Sequence, residues 1–144
     1  MEKKHTATAS VSISVPAAAA WKALVDPALV KKYLFGTDVR SSWKIGDAIV
    51  YSGEWQGKKY EDRGVILDLK EGKLLKSTYW SSMSGLPDLP ENRNIVTYSL
   101  KEENGGTLVT VAQDNIASAE SAEHSAANWK GVLEAMKSLL EGGA

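Results

Sequence analysis

The stretch SAESAEHSAANWKGVLEAMKSLLE, Ser118–Glu141, decides the reading of the fold. Its apolar residues Ala122, Ala126, Trp129, Leu133, Met136 and Leu140 recur at steps of four and three, so they form one stripe of an α-helix. Val132 and Leu139 widen the stripe, while Glu120, Glu123, Lys130, Glu134 and Lys137 fall outside it and stay in water. Ser118 is placed to cap the first turn, Glu120 and Glu123 put negative charge at the helix's positive end, and Gly142 and Gly143 stop it. A helix this long, with an indole in its stripe, needs a broad apolar surface to lie on.

The rest of the chain reads mostly as strands able to supply that surface. Thr6–Val15 alternates strictly: Ala7, Ala9, Val11, Ile13 and Val15 face one way, and threonines and serines face the other. Pro16 ends the strand and opens a helix over Ala17–Val25, with Ala20, Trp21 and Leu24 on its buried side. Asp26-Pro27 breaks that helix and starts a second short one, Ala28–Tyr33, closed by Gly36. Strands then follow at Val39–Trp43, Ala48–Trp55, Tyr60–Leu69, Leu74–Ser81, Ile95–Leu100 and Leu108–Gln113, with Asp114–Ala117 leading into the last helix. Gln56-Gly57-Lys58 and Asn104-Gly105-Gly106 carry hairpin chemistry. Ser82–Asn92, a proline- and glycine-bearing segment with Met83, Leu86 and Leu89, is a long connection of the kind that caps a pocket, meets a partner or packs on itself. This order predicts one α+β domain over residues 1–144.

Composition narrows the function classes. The formal net charge of -1 supplies no field for nucleic acid or anionic lipid. The chain has no cysteine, which removes disulfides, a thiol nucleophile and zinc–cysteine sites and fits a reducing compartment. No apolar run reads as a signal peptide or approaches the ~20 residues of a membrane span, so the expected location is the cytoplasm. His5 and His124 are the only histidines, too few for a three-ligand zinc site. Neither a phosphate loop nor a dinucleotide fingerprint occurs, and nothing calls for a cofactor.

The element order resembles the helix-grip fold of the START-like (SRPBCC) superfamily, in which a curved antiparallel sheet wraps the C-terminal helix. VSISVPAAAAWKALVDPALVKKYLFGT (11–37) resembles the entry strand and helix pair of the family named for the activator of the heat-shock protein 90 ATPase. SSWKIGDAIVYSGEWQGKKYEDRG (41–64) resembles its tryptophan-then-glycine strand pair. NGGTLVTVAQDN (104–115) and NWKGVLEAMKSLLE (128–141) resemble its last strand and closing helix. The likeness spans nearly the whole chain and is nearest to small single-domain bacterial members.

That resemblance implies an apolar cavity between sheet and helix. Tyr51, Trp55, Tyr79 or Trp80, and Trp129 are its candidate lining, with Leu133 and Met136 from the helix stripe and Met83 and Leu86 at the mouth. Rings bearing one polar atom suit an amphipathic or aromatic small molecule, although the same rings also serve as core packing. Glu54, Glu61, Asp62 and Arg63 lie on the central hairpin, and Glu61 and Arg63 share a face with Val65. Arg63 beside a carboxylate is a candidate ligand anchor or acid–base pair, but the favoured reading of these charges is a solvated strand end near the Gln56–Lys59 turn. Three functions follow: ligand binding in a cavity of roughly 300 Å³ or more; a module that meets a chaperone or a second copy of itself through an apolar surface; or a cyclase- or dehydratase-type enzyme working inside the cavity.

Overall fold

The computed structural model describes residues 5–34, 36–81, 87–116 and 118–142. Seven strands form one antiparallel sheet in the order β1-β7-β6-β5-β4-β3-β2. They are β1 (His5–Ile13), β2 (Asp38–Ser41), β3 (Ala48–Trp55), β4 (Lys58–Lys70), β5 (Leu74–Ser81), β6 (Asn94–Glu103) and β7 (Gly106–Ile116). Helices α1 (Ala17–Val25) and α2 (Pro27–Tyr33) follow β1, and α3 (Ala119–Leu140) ends the chain. This is the helix-grip arrangement, with the sheet curled about its last helix.

The two short helices share one residue as their joint. Asp26 ends α1 by donating its backbone N–H to the Lys22 carbonyl, and its carboxylate caps α2 by accepting from the Ala28 amide at 2.9 Å. Pro27 at the first position of α2 needs no hydrogen-bond partner for its nitrogen. Ser118 caps α3 by accepting from the Ser121 amide at 3.1 Å. At the far end Lys137 Nζ donates to the Ser12 carbonyl at 2.7 Å and to Glu141 at 2.8 Å, and Glu141 accepts from the Ser14 amide. These bonds tie the last turn of α3 to the end of β1.

The stripe of α3 faces the sheet as its spacing dictates. Leu133 and Met136 are fully buried, and Ala122 nearly so. Burial of each large side chain stabilises the fold by roughly 1.5–3 kcal/mol. Leu133 and Met136 join Ile13, Leu24, Val30, Ile49, Ile66, Leu75, Val109 and Val111 in one core, against which Trp129, Val132 and Leu139 pack from its rim, while Ala122 packs with Ala7 and Ile116 in a smaller cluster. The helix lies chiefly along β1, with α2 and β7 beside it.

Strand boundaries differ from the expected ones for local reasons. β2 stops at Ser41 because Trp43 adopts a left-handed backbone (φ 58), with its amide bound by the Ser41 hydroxyl at 3.0 Å. β6 and β7 run on to Asn94, Glu103 and Ile116, since β7 pairs with β1 up to His5 opposite Ile116. A left-handed Asn115 (φ 55) sits at the bulge this creates. Gln56-Gly57 and Asn104-Gly105 are all left-handed, as two-residue hairpin turns require.

The described part of the connection between β5 and β6, residues 87–93, is held down by polar side chains. Asp88 accepts from Arg63 Nε at 2.9 Å and from Arg93 Nε at 2.8 Å. Asn115 donates to the carbonyls of Glu91 and Arg93, and Asn92 to that of Pro87. Residues 82–86, which include Met83 and Leu86, lie outside the described residues.

Two predictions follow from this packing. At Gly64 a Cβ would land on the Thr78 carbonyl oxygen of the neighbouring strand, whereas at Gly131, exposed in α3, it would meet nothing within 4 Å. Gly64→Ala should therefore lower stability by more than about 2 kcal/mol, and Gly131→Ala should raise it by about 0.5–1 kcal/mol. Urea midpoints of the two variants read both signs. The hydrogen bonds from Arg93 and then Arg63 hold Asp88 below the usual carboxylate range. A group whose pKa falls on folding contributes stability that is present at neutral pH and lost as pH drops through the lowered value. A carbon-13 NMR titration should place the Asp88 midpoint below that of an unstructured aspartate; a midpoint at or above it would contradict the clamp.

Candidate ligand cavity

Because α3 lies over the β1–β7 side of the sheet, a space remains between its indole, the end of α2 and the inner faces of the middle strands. It measures about 110 Å³. Strand β3 supplies Tyr51, β4 supplies Asp62, and β5 supplies Ser77 and Tyr79. Val96 and Tyr98 come from β6, Trp129 from α3, and Leu34 and Thr37 from the segment after α2. Strand alternation explains the selection. Tyr51 lies directly opposite Asp62 in the β3–β4 pair, and Ser81 opposite Asp62 in the β4–β5 pair, so Tyr79 falls on the same face one step along.

The lining is ordered by its own contacts. Trp129 Nε1 donates to Gln113 Oε1 at 2.8 Å, and its ring meets Tyr98 edge-on with centroids 5.8 Å apart. Thr37 gives its proton to the Leu34 carbonyl at 2.8 Å, so the 2.6 Å contact with Tyr60 is one in which the phenol donates. Gly53, opposite Tyr60, leaves room for that ring, since a Cβ there would meet its hydroxyl at 2.5 Å.

One polar pair stands in this aromatic setting. Tyr79 donates its hydroxyl to Asp62 Oδ2 at 2.8 Å. The other carboxylate oxygen, Oδ1, is buried with no hydrogen-bond partner among the described residues. Such an orphaned acceptor costs about 1–3 kcal/mol, and more for a charged group. Burial, reinforced by the Asp62 carboxylate, pushes the Tyr79 hydroxyl far above the ordinary phenol range. Burial also raises Tyr51 and Tyr98. These phenols therefore stay protonated at physiological pH and serve as neutral donors and ring walls.

The residues singled out by sequence divide between two faces. Tyr51, Tyr79 and Trp129 come together around the cavity. Leu133 and Met136 lie wholly inside the core instead of at the cavity wall. Arg63 and Trp80, cross-strand neighbours, point to the opposite face of the sheet, where the guanidinium lies 4.9 Å from the indole centroid and pairs with Asp88 and Glu61. Met83, Leu86 and the Trp55 side chain lie outside the described residues. Asp62 is the polar residue that the charge-pair reading of Glu61 and Arg63 passed over. Asp62 has the parity of Gly64 and Ile66, the side of β4 that is buried in the structure; in the sequence the other side, with Val65, Leu67 and Leu69, is the more apolar, so no local signal marks Asp62 as inward. The space is also smaller than the expected ~300 Å³, because Tyr51, Tyr79 and Tyr98 fill part of it.

Neither histidine lines the cavity, and among the described residues no cluster of acidic groups and histidines is suited to a metal. No helix among them is long and apolar enough to cross a membrane.

Comparison with known proteins agrees with this geometry. The solution structure of ChR145 from Cytophaga hutchinsonii is 43% identical over 99% of this chain and 98% of its own, with a TM-score of 0.86. The crystal structure of MLL2253 from Mesorhizobium loti shares the fold at 22% identity and a TM-score of 0.75, over 95% of this chain and 97% of that one. So does the Aha1 dimer from Colwellia psychrerythraea at 17% identity and a TM-score of 0.75, over 96% and 98% of the two chains. Among curated proteins none is a significant match. The family model described as activator of Hsp90 ATPase homolog 1-like protein matches residues 14–141, and the chain belongs to that family.

Proposed function

We propose that this protein binds a small amphipathic molecule, with a body of about one ring, between the sheet and α3. The observation that carries the reading is the cavity walled by Tyr51, Tyr79, Tyr98 and Trp129 and holding one incompletely satisfied carboxylate. Aromatic walls give contact area, and a few placed polar atoms give orientation. A volume of about 110 Å³ suits a compact ligand better than a sterol or a fatty acid; for scale, an apolar cavity of about 150 Å³ accepts benzene. The family and fold support a ligand-binding domain in general.

The test is a titration with monocyclic aromatic compounds, followed by the Trp129 indole N–H signal in proton NMR. Binding should move that signal, because the indole both lines the cavity and holds Gln113. Ser77→Leu, which adds two heavy atoms at the buried wall, should weaken binding at least tenfold while the chain stays folded. An unmoved indole signal across the series, or equal binding by the filled variant, would refute the reading.

A second reading rests on a different surface. Val65 and Leu67 are each 41% exposed on the outer face of β4, and Ile45, next to the segment bonded to Ile66, is 61% exposed. Such a patch favours self-association, and the Colwellia relative is a dimer. Sedimentation should then show a dimer that Val65→Lys with Leu67→Lys converts to monomer; a wild-type monomer at high concentration would dismiss this reading.

A further inference from the structure

We infer that the cavity selects a basic nitrogen, so that its ligand is a small protonated amine whose N–H donates to Asp62 Oδ1. The inference rests on the ligand-binding reading above and adds the ligand's charge.

Four observations point the same way. Among the described residues the cavity wall contains one carboxylate and no lysine or arginine, so Asp62 faces this space without a cationic counterpart among them. Arg63, the adjacent cation in sequence, is committed on the opposite face to Asp88, Glu61 and the Trp80 ring. Only one oxygen of Asp62 is satisfied, by Tyr79, and Oδ1 is left buried and unmatched. The rest of the described wall is neutral: three phenol rings and an indole stand beside Leu34, Thr37, Ser77 and Val96, and ring faces attract a cation.

A neutral hydroxyl could also donate to Oδ1, but it would leave the negative charge uncompensated in a buried setting. An ammonium supplies both the missing hydrogen bond and the missing charge, and charge-assisted bonds are roughly twice as strong as neutral ones. An anionic ligand is disfavoured, since it would stand against Asp62 with no cation among the described lining residues. Tyr79 holds the carboxylate through Oδ2 and so fixes which oxygen meets the ligand.

The experiment compares three probes of nearly equal size and one ring each: benzylamine, benzyl alcohol and toluene. Dissociation constants are read from the Trp129 indole signal at neutral pH. The expected order puts benzylamine at least tenfold tighter than benzyl alcohol. Asp62→Asn should bring benzylamine down to the affinity of benzyl alcohol; general damage to the cavity would instead weaken all three probes and keep their order. Tyr79→Phe, which removes the phenol but keeps the carboxylate, should retain the amine preference and guards against misfolding of the first variant. Equal binding of amine and alcohol by the wild type would overturn the inference and leave the ligand-binding reading standing. Failure of all three probes to bind would overturn both.

Discussion

The structure depends on the seating of α3 on one side of a curled sheet. Leu133 and Met136 drive the helix into the core, and the bonds from Lys137 and Glu141 to Ser12 and Ser14 fasten its end to β1. With the helix committed to β1 and β7, the middle strands are covered by their own large side chains and by α2. Aromatic rings fill most of that gap, and what they leave is the cavity. A buried carboxylate is tolerated there because Tyr79 satisfies half of it. The same seating thus sets both the stability of the fold and the chemistry of its interior.

Period and parity made most of this legible in the sequence. Steps of four and three identify α3 and its buried stripe, Ser118 acts as the cap its position suggests, and the Asp26-Pro27 break falls where expected, with Asp26 in addition capping α2. Within the strands expected at Ala48–Trp55 and Leu74–Ser81, alternation puts Tyr51 with Ile49 and Tyr79 with Leu75 and Ser77, and these residues face inward in the structure. Where the reading departed from the structure, the cause was a contact remote in sequence. Arg63, a ligand-anchor candidate whose favoured reading is a solvated strand end, pairs with Asp88, 25 residues away on the far face. No local pattern shows that pairing. Trp43 looked like the end of a strand, and only its left-handed backbone removes it.

The cavity's size was beyond the reach of pattern. It depends on how far three tyrosine rings extend from neighbouring strands, and on Gly53 and Gly64 allowing Tyr60 and β5 to approach closely. The physical role of these glycines is to admit specific neighbours, which no local pattern shows. Asp62 shows the converse. Its parity was readable, but charged residues on a hairpin usually face water. Only the unmatched oxygen and the aromatic surroundings distinguish it from Glu61 beside it.

The central claim is that the space beneath Trp129 is a binding site. A crystal structure of the protein soaked with benzylamine tests it most directly. The account predicts ordered density between Asp62, Tyr79 and Trp129, with the nitrogen within hydrogen-bond distance of Oδ1. Density confined to the outer surface, with the cavity unchanged at saturating ligand, would contradict it.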